Sequence, residues 1–345
     1  MKKIAIVTIE SPNYGNRLQN YALQQVLLSM GYSVKTLHRV HQPKGMMASV
    51  RRCFQEILQT KAAKFRHFDS NIDFSEITIG RDDYPEDLRE RFDYFISGSD
   101  QVWNPHYYFA AGNCDFLSFA EPNQRISYGA SFGVSIIPED KKTVFARYLN
   151  DFKAISVREH QGAEIVRELT GRDAEVVLDP TLLLSQDAWR RVMRKTREAP
   201  AGNYALVYAL REKNQRFLDK MESLSKDYQI LDACALQTNG RALPIGPAEF
   251  LYLIQNASII LTDSFHASVF SIIFQKPFIT FNRTGLEINS RIETLAQMAG
   301  MEQCMNQFGD LVCEESQNFE MTEELLENEK EKSIAFLRRA LNTQE

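Results

Sequence analysis

Residues 2–37, KKIAIVTIESPNYGNRLQNYALQQVLLSMGYSVKTL, decide the fold. KKIAIVTI is an apolar run of strand length. NRLQNYALQQVLLSMG carries its apolar residues at the helical period and ends at Gly31, where a C-cap glycine belongs, and YSVKTL is a second short strand. Strand, helix and strand in immediate succession make a β-α-β unit, which pairs its strands in parallel and covers them with helices. The intervening SPNYG then lies beyond a strand's carboxyl end, where open α/β sheets bind their ligands. No GxGxxG follows this strand and no GxxxxGK[ST] occurs, so the dinucleotide and P-loop readings lose their main support.

The same rhythm recurs along the chain. FDYFISGSD, RISYGASFG, FKAISVRE and AEVVLDPTLLL read as strands that end in small or polar clusters. Residues 41–90, with Pro43, Gly45 and VRRCFQEILQTKAAKFRHFDS, read as an insertion over the sheet, its mixed acidic and apolar positions marking a solvated helix rather than a nucleic-acid arm. LSQDAWRRVMRKTREAPAGN, closed by Pro200 and Gly202, separates this series from a second one beginning YALVYAL. The expected fold is therefore α/β and GT-B-like, two Rossmann-type parallel-sheet domains facing each other across a cleft. Residues 1–184 form the first domain, expected on the acceptor side, and 200–320 the second, on the donor side. Residues 321–345 form a terminal helix packing back, opened by Thr322 and closed by arginines that suit the helix dipole.

At 345 residues the chain is long for one core, which also argues for two domains. Its formal net charge of -5, with basic residues scattered rather than gathered into a stripe, argues against nucleic acid as the main ligand. No window reaches the ~18 apolar residues of a membrane-spanning helix, and the N-terminal apolar run is too short for a signal peptide. Five cysteines, Cys53, Cys114, Cys234, Cys304 and Cys313, form no CxxC pair, so no disulfide framework and no metal site is expected. Reduced thiols fit a cytoplasmic protein, with peripheral contact at the inner membrane face compatible with the sequence.

Four polar clusters lie where the strand pattern predicts carboxyl ends. The first holds Asn13, Gly15, Asn16, Arg17, Gln19 and Asn20, with Gly15 suited to a tight turn and Asn16 either capping the helix or offering its amide to a hydroxyl-rich ligand. The second, SGSDQVWNP, holds Ser99, Asp100, Gln101, Trp103 and Asn104, a carboxylate, amides and an indole face that suit a sugar; the alternative is an Asp cap with a core tryptophan. The third offers Arg158 as a fork for a carboxylate or phosphate, or as an inter-strand salt bridge. In the fourth, LTDSFHASVF, Asp263 or Ser264 caps a helix whose first turn carries His266. That is an anion-binding position from which a histidine can also donate a proton.

Together these blocks resemble the polysaccharide pyruvyl transferase family: NYGNRLQNYALQQVL, FISGSDQVWNP, ISYGASFG, ISVREHQG with VVLDPTLLL, and TDSFHASVFSIIFQKPFI occur in the family's order. The resemblance implies transfer of the enolpyruvyl group of phosphoenolpyruvate to sugar hydroxyls of a cell-surface polysaccharide or its lipid-linked precursor, giving a pyruvate ketal and phosphate. Phosphoenolpyruvate is then a co-substrate and no other cofactor is needed. Arg158 and the Ser264, Phe265, His266 block are implied donor contacts. Members often carry arginine two positions before this histidine; here Ser264 stands there, and Arg283 and Arg291 are the candidates to hold the phosphate instead. His266 would assist protonation of the methylene carbon or stabilise the departing phosphate. Asp100, or else Asp263, would take the hydroxyl proton. Two other readings stay open: a nucleotide-sugar glycosyltransferase of the same fold, for which Glu287 is the one loose ribose contact, and a non-catalytic sugar-binding protein.

Overall fold

The opening unit forms as its pattern dictates in the computed structural model, which describes residues 1–39, 60–80, 83–106, 114–235, 243–282, 290–314 and 317–341. β1 (Lys3–Val7), α1 (Tyr14–Ser29) and β2 (Ser33–Arg39) are followed by α2 (Lys61–Asp69), β3 (Phe74–Ile79), α3 (Leu88–Arg91), β4 (Tyr94–Ser97), β5 (Arg125–Ser127), α4 (Glu139–Asn150), β6 (Ser156–Val157), α5 (His160–Thr170) and β7 (Glu175–Val176). The chain continues through α6 (Gln186–Val192), β8 (Tyr204–Tyr208), α7 (Gln215–Leu224), β9 (Gln229–Asp232), α8 (Pro247–Asn256), β10 (Ile259–Thr262), α9 (Phe265–Ile273), β11 (Phe278–Thr280), α10 (Ser290–Met298), β12 (Leu311–Cys313) and α11 (Phe319–Ala340).

Two compact units result: Met1–Pro43 with Asn71–Leu184 and Leu326–Glu345, and Lys44–Ser70 with Ser185–Leu325. Two segments therefore group differently from the sequence expectation. Residues 60–70 belong with the second unit, where Lys64 Nζ meets Glu249 Oε1 of α8 at 2.8 Å, while residues 41–59 of the expected insertion lie outside the described residues. The last part of α11 belongs with the first, where Ser333 accepts the Leu178 N–H at 3.0 Å and Lys153 Nζ donates to the Ala340 carbonyl at 2.7 Å. Thr322 does not open α11 but lies inside it, buried.

The first unit carries a parallel sheet of order β3-β2-β1-β4-β5. β3 was not expected: among the described residues FSEITI pairs with β2 alone, at the sheet edge and across a register shift, so it lacks the continuous apolar run of the central strands. β1 and β4 have no such ambiguity, with Ile4 through Val7 and Tyr94 through Ile96 all buried. The second unit has the order β12-β11-β10-β8-β9, parallel except for β12, which runs antiparallel to β11.

Candidate active site

In each unit the strand order reverses once. In the first, the chain moves outward from β1 to β2 and β3, then returns to place β4 on the other side of β1. In the second, β8 and β9 are followed by β10 on the far side of β8. Connections leave such a pair in opposite directions, so a crevice opens at the carboxyl ends of β1 and β4 and of β8 and β10. SPNYGN follows β1, SGSDQ follows β4, and TDSFH follows β10.

At the β1/β4 crevice the central residue is Asp100. Its φ of 77° is a left-handed backbone angle on a non-glycine residue, which costs of order 1 kcal/mol or more and persists only where surroundings impose it. Here the Asp100 carbonyl accepts the Ser131 N–H at 2.9 Å and the Val102 N–H at 2.7 Å. The bend aims the carboxylate at three donors: Oδ2 accepts from the Asn16 side-chain amide, and Oδ1 from the Gln101 N–H at 2.9 Å and from Arg158 Nη2 at 3.2 Å. Asn16 itself accepts from the Ser11 hydroxyl.

Arg158 lies at the end of β6 with its side chain 1% exposed. Its other terminal nitrogen donates to Asp179 Oδ2 at 2.7 Å, and Ser99 Oγ donates to the same oxygen at 2.8 Å. Asp179 Oδ1 is taken by the Thr181 N–H and hydroxyl at 3.0 and 2.6 Å. Burial would lower the Arg158 guanidinium, but the charges of Asp179, then Asp100 and Glu159, raise it above its usual value. Arg158 is thus permanently cationic and already flanked by carboxylates, so it does not present the open fork expected for a donor carboxylate or phosphate. It fixes Asp100 instead. Asp179 was not anticipated from the sequence: its carboxylate also caps the turn at Pro180–Leu183, and only folding brings Arg158 to it.

Several other side chains of these clusters lie differently from expectation. Trp103 is fully buried, stacked on Phe116 at 5.7 Å and packed against Phe132 and Phe152, with Nε1 donating to the Asp115 carbonyl at 3.2 Å, so no indole face is open to a sugar. Gln19 is fully buried, its amide donating to Thr8 Oγ1 at 2.9 Å and to the Asn16 carbonyl at 3.0 Å, so it supports Asn16 rather than reaching a ligand. Ser99 is likewise fully buried. Gly15 is not a turn residue: α1 begins one position earlier with Asn13 as its cap, whose side chain accepts the Gly15 N–H at 2.9 Å. Asn13 and Gln101 remain half-exposed. Asn104 donates to Gln101 Oε1 at 2.7 Å, and Gly133, whose φ of 62° favours glycine, lies against the ends of both side chains.

The β8/β10 crevice is held by uncharged contacts and one carboxylate. Thr262 Oγ1 donates to the Tyr208 carbonyl at 2.6 Å and accepts the Ser264 N–H at 2.9 Å, while Asp263 Oδ1 accepts the Leu210 N–H at 2.7 Å, fastening β10's end to β8's. Ser264 is the N-cap of α9, its hydroxyl accepting from the Ala267 N–H at 3.5 Å. No acidic residue occupies the first turn of α9, where negative charge is favoured by the helix dipole; Asp263, immediately before the cap, is engaged by the Leu210 N–H. His266 sits in that turn, 6% exposed with its ring edge-on to Phe265, itself 7% exposed; the histidine is more buried than a helix-start position alone implies. Arg291 is buried in the first turn of α10. Arg283 and Glu287 lie outside the described residues. Among the described residues no group of acidic, histidine or cysteine side chains could hold a metal ion, and no helix is long and apolar enough to cross a membrane.

Residues 13–285 match the family model described as polysaccharide pyruvyl transferase. No curated protein matches the chain. Among solved structures it is similar to a Staphylococcus aureus MnaA–UDP co-structure, at 11% identity and TM-score 0.54 over 100% of this chain and 98% of that one. A putative UDP-N-acetylglucosamine 2-epimerase from Listeria monocytogenes matches at 12% identity and TM-score 0.53 over 98% and 91% of the two chains. The UDP-GlcNAc 2-epimerase from Methanocaldococcus jannaschii matches at 14% and TM-score 0.52 over 99% and 100%. At these identities the likeness shows the fold alone, a GT-B-like pairing of α/β units.

Proposed function

Because the chain belongs to the polysaccharide pyruvyl transferase family, we propose that it moves the enolpyruvyl group of phosphoenolpyruvate onto two hydroxyls of a sugar in a cell-surface polysaccharide or its lipid-linked precursor. The observation that carries this reading is Asp100. A carboxylate held by strained backbone and oriented by Asn16, Gln101 and Arg158 is pre-positioned to take a proton from a hydroxyl. Asn13 and Gln101, half-exposed beside it, supply amides for the sugar's other hydroxyls.

The donor is assigned to the start of α9. Its N–H groups and the positive end of its dipole favour the phosphate, and Ser264, Phe265 and His266 form that end of the helix. Arg291, and Arg283 by its place in the sequence, are the cations proposed to complete the phosphate contact. In the proposed reaction a proton added to the methylene carbon leaves C2 oxocarbenium-like. One sugar hydroxyl attacks C2 and yields its proton to Asp100, phosphate departs with the C2–O bond electrons, and the second hydroxyl attacks C2 to close the ketal, its proton passing to the departed phosphate. His266 assists the first protonation or the departure of phosphate. Incubation with phosphoenolpyruvate and a panel of sugar acceptors tests the assignment by phosphate release. Transfer from a nucleotide sugar with phosphoenolpyruvate untouched would replace it with the glycosyltransferase reading.

A further inference from the structure

The expected even scatter of basic residues fails at one place. Residues 190–197, RRVMRKTR, hold five Arg or Lys in eight positions of a chain with net charge -5. All five side chains are exposed. Asp187 engages Arg190 at 3.0 Å and Glu198 engages Arg197 at 3.4 Å, while no ion pair to Arg191, Arg194 or Lys195 occurs among the described residues.

This stretch is pinned to the second unit. Trp189 is fully buried and meets Phe270 of α9 edge-on at 4.9 Å, and Gln186 Nε2 donates to the Ile273 carbonyl at 3.0 Å. Arg194 N–H donates to the Ala248 carbonyl in the first turn of α8 at 3.1 Å, and Thr196 is buried beneath the cations. Lys64 of α2 contacts the same first turn through Glu249 at 2.8 Å. Half-buried Val192 and Met193 lie between the basic residues.

We infer that this fixed basic platform docks the second unit onto an anionic phospholipid surface. Clustered Arg and Lys beside small apolar side chains match phosphate headgroups above a hydrocarbon layer. A nucleic-acid strand would instead call for a longer basic track with aromatic stacking partners, and no aromatic residue lies between 190 and 197. The inference rests on the pyruvyl-transfer reading in one respect: such docking brings the enzyme to a lipid-linked acceptor.

Flotation with vesicles of phosphatidylcholine, alone or mixed with phosphatidylglycerol, tests it on the full chain. The wild type is expected to bind only the mixed vesicles and to be released by salt. Combined Arg191→Gln, Arg194→Gln and Lys195→Gln should lower partitioning on the order of 100-fold, about fivefold per cation. A charge-matched control, Arg89→Gln with Arg91→Gln and Arg167→Gln on exposed sites of the first unit, should bind as wild type. Triple-variant binding equal to wild type overturns the inference, as does a wild type that ignores anionic vesicles but binds duplex DNA. Phosphate release with a soluble acceptor, measured in parallel, keeps the two ideas apart. Docking without release removes the transfer reading alone, and release without docking removes the platform alone.

Discussion

The two strand-order reversals occupy the same topological position in their units and are built oppositely. At β1/β4, Asp100, Arg158, Asp179 and Glu159 crowd into a buried network in which one cation serves several carboxylates. At β8/β10, the helix start is capped by a serine, free of acidic first-turn residues, and carries one histidine. The first arrangement spends its charge internally and fixes one carboxylate in space. The second leaves the partial charge of a helix end to whatever anion arrives. The contrast teaches that an arginine at a strand end is not by itself an anion site; what surrounds it decides.

The largest expected effects break the comparison from either side. His266→Ala should lower kcat for phosphate release by ~10²–10⁴-fold, the usual worth of a general acid–base or leaving-group contact. Because the residue is buried, His266→Gln is the companion variant, and circular dichroism should show both folded. Asp100→Asn keeps the side chain's size and its contact with Arg158 but removes the base, and should lower kcat by ~10²-fold or more with the fold retained. Activity near wild type in either would detach that crevice from the chemistry.

Asp179→Ala comes next and is read as stability. Removing the fully buried partner of a buried guanidinium should cost roughly 3–5 kcal/mol in chemical denaturation. Turnover should fall too if Arg158 is what orients Asp100; a stable, fully active variant would dismiss that role. Trp103→Phe should cost about 1–3 kcal/mol through lost packing and the lost Nε1 hydrogen bond, while acceptor KM stays unchanged. A raised KM with unchanged stability would restore the sugar-stacking role. Smallest of these, Ser264→Ala should cost about 1 kcal/mol as a lost helix cap, measured by thermal denaturation.

Much of this was legible in the sequence, and for physical reasons. Parallel strands buried on both faces must be apolar throughout, so β1, β4, β8 and β10 announce themselves, and with them the polar clusters at their ends. β3 was hidden because an edge strand needs no such run. Within the clusters, residue type could not separate first contacts from their supports. Gln19, Ser99 and Trp103 look like sugar ligands in a string of letters, yet each is consumed by an internal partner. Asp179 stayed hidden because its meaning depends on Arg158, which is distant in sequence and adjacent only after folding.

Phosphate release from phosphoenolpyruvate in the presence of a sugar acceptor with neighbouring free hydroxyls, followed for the wild type and Asp100→Asn together, tests the central claim most directly. Phosphate is expected to form in step with acceptor consumed by the wild type, and release to fall with loss of the carboxylate. Undiminished release by Asp100→Asn, or no release by the wild type with any acceptor while a nucleotide sugar is turned over, would contradict it.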